Sequence, residues 1–239
     1  MSGVNTEHYF HQVLKYANEK HGRADLTLVT GDLAQEPCQQ SYQRIYAELE
    51  KYKTRTICLP GNHDDMEEMQ KVINSDLINC NKLIQFKYWQ IINLNSKKTG
   101  SEGGFLAAEE LDFLADTLNN SPDLSTVIAV HHHPLPTNSV WMDTMMIENS
   151  DELFLTLKKY PHVKVITCGH IHQQLKINKD NKLILGTPST CFQFKPLCLD
   201  YTIDEMEPAY RTMELYSDGR FRTKLYRVPI EIIDAVKFK

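Results

Sequence analysis

Apolar residues along this chain recur with two different spacings. Between residues 6 and 21, Tyr9, Phe10, Val13, Leu14 and Ala17 fall on one face at helical spacing, with Thr6 placed to cap the start. The next apolar run, "DLTLVTGD" at 25–32, is short and stops at Gly-Asp, which predicts a buried strand. Helical patterning returns over 39–53, and "RTICLPGNHDD" at 55–65 repeats the sequence of apolar run and polar loop. Further helices are predicted over 66–74, 107–119 and 150–160, with strands in "STVIAVHHHP" (125–134) and "VKVITCGHIHQQ" (163–174). "KLIQFKYWQIINLN" (82–95) is rich in strand formers and predicts a hairpin.

The last third changes character. "QLKINKDNKLILG" and "YRTMELYSDGRFRTKLYRV" are each two alternating runs around a polar turn, hence antiparallel hairpins. Strands that alternate with helices imply parallel βαβ units, and the hairpins imply a second, more antiparallel sheet. No Gly/Ser/Pro linker and no internal repeat interrupts the chain. The expected architecture is therefore α/β, one domain spanning residues 1–239, built on two packed sheets.

Four of the predicted strands end in side chains that bind metals. They are Asp32 in "TGDLAQE", Asn62, His63 and Asp64 in "PGNHDD", His131 to His133 in "VHHHPLP", and His170 and His172 in "CGHIH". Each piece alone has an ordinary structural explanation as a turn, cap or hydrogen-bonded loop. Together they sit where open α/β sheets place their ligand crevice, at the carboxyl ends of the strands. Imidazole, carboxylate and amide donors suit iron, manganese, zinc or cobalt, and the absence of cysteine among them argues against a closed structural zinc. Three consecutive histidines cannot all serve one centre, so part of the triplet is expected to be structural.

Composition narrows the partners. A net charge of −5 argues against a nucleic-acid surface. No apolar run is long enough for a membrane span, and "MSGVNTEHYF" carries neither a basic n-region nor an apolar h-region. Six cysteines lie far apart with no CxxC pair, which predicts reduced thiols and a cytoplasmic setting. Phe192 and Phe194 in "STCFQFKP" are candidates to stack on a purine, although aromatics in such a run more often belong to the core.

The motif order Gly-Asp, Gly-Asn-His-Asp, His, Gly-His-x-His resembles the calcineurin-like metallophosphoesterases. More closely, "TGDLAQE", "LPGNHD", "HHHPLP", "CGHIHQ" and above all "TPSTCFQFKP" resemble the bacterial class III 3',5'-cyclic-AMP phosphodiesterases of the Icc type. The similarity runs from "GVNTEHY" to the final hairpin. It implies an αββα sandwich around two divalent metal ions and hydrolysis of cyclic AMP to 5'-AMP by a metal-activated hydroxide. Asp32 would bridge the metals. Asn62, His131 and His170 would complete one shell, with His132 the alternative within the triplet, and His172 would bind the other metal. His63 would protonate the leaving oxygen, oriented by Asp64. Asp32, Asn62, His63 and His172 would also face the substrate.

The resemblance also implies a first central strand ending in Asp-x-His. No such motif precedes Asp32, so that strand is expected to be absent and the first metal to keep only Asp32 and His172, while the second site is complete. A broader phosphodiesterase or phosphomonoesterase, and an inactive relative with one incomplete site, stand as alternatives. The sequence leaves the oligomeric state open.

Overall fold

The computed structural model describes residues 5–229; the first residues of "GVNTEHY" and the ends of the expected 1–239 domain lie outside them. In chain order the elements are α1 (Thr6–His21), β1 (Thr27–Val29), α2 (Gln39–Glu50), β2 (Thr56–Cys58), α3 (Met66–Val72), β3 (Ile78–Asn79), β4 (Leu83–Gln85), β5 (Trp89–Leu94), α4 (Ala108–Asn120), β6 (Ser125–Val130), α5 (Val140–Asp143), α6 (Ser150–Leu157), β7 (Val163–Cys168), β8 (Leu175–Lys179), β9 (Lys182–Gly186), β10 (Gln193–Phe194), β11 (Ile203–Asp204), β12 (Ala209–Leu215) and β13 (Phe221–Arg227).

Two sheets form the centre. One has the order β4-β5-β6-β7-β9-β8, with β5, β6, β7 and β9 parallel and antiparallel strands at both edges. The other is the parallel set β1-β2-β3. β12 and β13 pair only with each other, as do β10 and β11. The hairpin β8–β9 therefore does not build a separate antiparallel sheet, as the sequence suggested. Its second strand carries the continuous apolar run Leu183–Leu185, which pairs with β7 inside the larger sheet.

Alternation along the strands sorts the core into layers. Ile92, Leu94, Ile128, Val130 and Ile166 point to one face and pack on Leu114 and Leu118 of α4 and Leu153 and Leu157 of α6. Ile91, Val127 and Val165 point to the other face, where they meet Ile57 and Leu28 of the second sheet and Met213 of β12. The far side of that sheet buries Cys58 and Ile78 against Tyr42 and Leu49 of α2 and Met69 of α3, with Phe10 and Leu14 of α1 alongside. The result is the expected αββα sandwich. Covered on both faces, β5 is buried at all six positions.

Among the described residues no strand pairs with the edge of β1 opposite β2. A groove runs there, between β1 and β12 and under α1, and opens towards the loops at the strand ends. Its cavity measures about 2010 Å³. α1 is capped by Asn5, whose side chain accepts from His8 N at 3.1 Å, rather than by Thr6. All six cysteines are free. No helix among the described residues is long and apolar enough to cross a membrane.

Candidate metal centre

Parallel strands send their carboxyl ends in one direction, so the loops after β1, β2, β6 and β7 meet on one rim of the sandwich. Two glycines permit the approach. A Cβ on Gly31 would lie 2.2 Å from His131 Nδ1, and one on Gly61 would lie 2.0 Å from Asp32 Oδ1. Asp32, His170 and His172 all hold positive φ, of 56°, 58° and 47°. A cluster of such backbone conformations in non-glycine residues is a mark of a functional site.

Four donor atoms converge there. Asn62 Oδ1 is 3.2 Å from His131 Nε2 and 3.1 Å from His170 Nδ1, and those two nitrogens are 3.2 Å apart. Asp32 Oδ2 lies 3.3 Å from His131 Nε2. His131 Nδ1 is 2.7 Å from the carbonyl of Thr30, so it carries the ring proton, and Nε2 of the neutral ring offers a lone pair. When that ring is neutral, two oxygens and one such nitrogen face each other, with at most one proton on His170 Nδ1 to share among them. Ligands about 2.0–2.2 Å from one ion stand roughly 3–3.5 Å from each other, the spacing found here. The residues fit a divalent cation.

His132 and His133 play other parts. His132 lies within the same imidazole cluster, but both its nitrogens are engaged: Nδ1 with Ser96 Oγ at 2.7 Å and Nε2 with the Glu102 carbonyl at 3.1 Å. It braces the loop instead of offering a lone pair. His133 stacks on His170 and lies 3.6 Å from the Asp143 carboxylate. His172 stands beside the four-atom cluster; its Nδ1 is buried without a hydrogen-bond partner and its ring stacks on Phe194 at 4.5 Å.

Asp64 holds the two loops together. Its carboxylate accepts from the backbone N–H groups of Leu33 at 3.0 Å, Ala34 at 3.1 Å and Gly61 at 2.9 Å, and from Tyr42 Oη at 3.2 Å. These bonds go to backbone and phenol, not to the His63 ring, so Asp64 positions His63 through the loop rather than through its imidazole. The ring itself is met by Gln35, whose Nε2 lies 3.2 Å from His63 Nδ1, while His63 N donates to Asp32 Oδ1 at 3.1 Å.

The charges agree with a cation site. Burial alone would raise the Asp32 carboxyl, but the facing His131 ring, its hydrogen bond and nearby His63 hold it well below the usual carboxylate range. Burial likewise works against a charged His131, and the Asp32 carboxylate reverses this and raises its pKa. Burial lowers His172 to about 4 and His170 well below its usual value, so both rings stay neutral and able to ligate.

The family model for the calcineurin-like phosphoesterases matches residues 5–174. The chain belongs to this family. Its members are hydrolases that use divalent metals. A 3',5'-cyclic-nucleotide phosphodiesterase of Nostoc sp. is 38% identical over 97% of this chain and 87% of that protein. The 3',5'-cyclic adenosine monophosphate phosphodiesterase CpdA of Escherichia coli is 37% identical over 95% and 82%. Among solved structures, a dimetal phosphatase from Danio rerio matches with a TM-score of 0.58 at 12% identity, covering 82% of this chain and 83% of that one, which supports the fold.

The structure gathers Asp32, Asn62, His131 and His170 around one point and sets His63 and His172 in the same cavity. It also places residues that the sequence reading missed. Gln35 was visible as the last polar residue of "TGDLAQ", in the loop that carries Asp32. Tyr42, buried on α2, and Ser96 lie outside every motif. Phe192 and Phe194 are 7% and 8% exposed, and Phe194 gives a face to His172, so they form the floor beneath the site and are not a free stacking platform.

Proposed function

We propose that the chain hydrolyses a 3',5'-cyclic nucleotide, cyclic AMP foremost, to the 5'-monophosphate with two divalent cations drawn from iron, manganese, zinc and cobalt. Asn62, His131, His170 and Asp32 would hold one cation, and Asp32 and His172 would contribute to the other. The observation that carries the chemistry is the convergence of donors on Asn62 Oδ1 and His131 Nε2 within 3.1–3.3 Å. The substrate rests on the named relatives, which match 95–97% of this chain. Divalent cations bound there supply the Lewis acidity that activates water and offsets charge on the phosphoryl oxygens.

The protein's own residues supply position and a proton. The Gln35 side-chain amide meets His63 Nδ1 at 3.2 Å and braces the ring from that side, leaving Nε2 for the substrate. The ring would act in its protonated form: Nε2–H would pass its proton to the ribose 3'-oxygen as the bond from it to phosphorus breaks and the water oxygen, giving up a proton, bonds to phosphorus, which leaves a neutral imidazole. The backbone bond from His63 to Asp32 ties this acid to the carboxylate beside the cation cluster. Asp64, anchored by four donors, fixes the relative placement of both loops. We place the reaction in the cytoplasm, a reading supported by six free cysteines.

The test is turnover of cyclic AMP, an aryl phosphodiester and an aryl phosphomonoester by manganese-loaded protein. A kcat/KM at least tenfold higher for cyclic AMP than for either aryl ester is expected. Preference for an aryl ester replaces this reading with a broad phosphoesterase, and no turnover of any ester replaces it with a non-catalytic relative.

A further inference from the structure

A chain of aromatic rings leads away from the cation cluster. His172 stacks on Phe194 at 4.5 Å, with the rings 10° from parallel. Phe194 in turn meets Trp141 at 5.0 Å and Tyr201 at 5.3 Å, and those two rings are 5.2 Å apart. Both line the cavity that holds Asp32, His63 and His172. Phe194 is buried below, whereas Tyr201 is 51% exposed and Trp141 is half-buried, so the upper rings keep surface for a ligand.

Nothing in the first coordination layer needs this surface. The start of α5 and the loop around residues 197–199 are nonetheless strapped together to present it. Val140 N donates to the Cys198 carbonyl at 3.0 Å, Trp141 N to the Leu199 carbonyl at 3.2 Å, and Leu197 N to Ser139 Oγ at 2.9 Å. The rim continues in exposed Val140 and Leu199. The indole Nε1 of Trp141 is buried without a hydrogen-bond partner, which makes it a donor ready for an acceptor.

We propose that Tyr201 and Trp141 are specificity-determining residues that receive the purine base of the substrate. The inference rests on the cyclic-nucleotide reading and deepens it. Two ring steps separate the His172 imidazole from the Tyr201 ring, a span that a nucleotide bridges with its phosphate at the cations and its base at the rim. Stacking of a base on an aromatic ring costs roughly a factor of ten or more when the ring is removed.

The experiment measures KM for cyclic AMP, together with binding of adenosine and inhibition by inorganic phosphate, in manganese-loaded wild type, Tyr201→Ala, Tyr201→Phe and Trp141→Ala. Tyr201 is exposed, so its replacement leaves the fold intact even if that of Trp141 does not. Tyr201→Ala is expected to raise KM for cyclic AMP and to weaken adenosine binding by about tenfold each. Phosphate inhibition should stay within twofold, and Tyr201→Phe should restore the wild-type values. Unchanged KM and adenosine affinity in both alanine variants, with cyclic AMP still turned over, overturn the base site and leave the phosphodiesterase standing. A wild type that turns over no cyclic AMP yet loses adenosine binding in Tyr201→Ala keeps the base site and overturns the phosphodiesterase; one that neither turns over cyclic AMP nor binds adenosine overturns both.

Discussion

His131 Nε2 lies 3.3 Å from Asp32 Oδ2, while its Nδ1 is tied at 2.7 Å to the carbonyl of Thr30, two residues before that same aspartate. The loop that supplies the carboxylate therefore also sets the tautomer of the imidazole facing it. Hydrogen bonds of this outer kind orient metal-binding histidines and strengthen them as ligands.

The histidine triplet should divide by function. His131→Ala is expected to reduce bound metal to half or less and kcat/KM by at least a hundredfold. His132→Ala removes the ring that bonds buried Ser96 Oγ and braces the Glu102 carbonyl, which costs about 1–3 kcal/mol. It should lower the melting temperature while the stable fraction keeps its metal. Elemental analysis beside thermal denaturation separates the two, and equal metal loss in both variants contradicts the division.

Asp64 is predicted to be structural. Asp64→Ala strands three backbone donors and the Tyr42 hydroxyl, and should destabilise the fold by about 3 kcal/mol or more. Urea denaturation at neutral pH measures this. A loss below 1 kcal/mol with abolished turnover would instead make Asp64 a catalytic residue.

His63 and Gln35 form a pair. His63→Ala should depress kcat by about 10²–10⁴ with metal content near normal. Gln35→Ala removes only the brace on Nδ1 and should cost roughly tenfold. In the double variant the second loss should nearly vanish, since the brace acts through the ring. Additive losses contradict the link.

Stability of the metal-free protein should fall on the acid side. Burial lowers His132 to about 3, and His133 and His172 to about 4, and it also lowers His170. The unfolded rings titrate near 6.5, so between that value and about 4 the unfolded state binds more protons and stability is lost as pH falls. His131 alone is shifted upward and offsets part of this, one ring against four. The melting temperature of chelator-treated protein should drop between pH 7 and pH 5; a flat profile contradicts these burials.

How much of this was legible beforehand follows from length and repetition. β6, β7 and α4 carry long, strongly patterned runs, and their position and type could be read directly. The four-residue α5 and the two-residue ladder of β10 with β11 have no periodicity to read, yet they place Trp141 and floor the site with Phe194. The donors at the strand ends were legible because motif and strand end coincide. Gln35, Tyr42 and Ser96 were not, because their roles arise from contacts 28, 22 and 36 residues apart. The fate of β8–β9 depended on which neighbour its apolar run would meet, a choice the tertiary packing makes.

The central claim is that Asn62, His131 and His170 grip a cation beside Asp32. Calorimetric titration of the chelator-treated protein with manganese tests it most directly, in wild type and in His170→Ala. The wild type should bind with a defined stoichiometry, and the variant's affinity should fall by at least tenfold. Equal affinity and stoichiometry in the two proteins would contradict it.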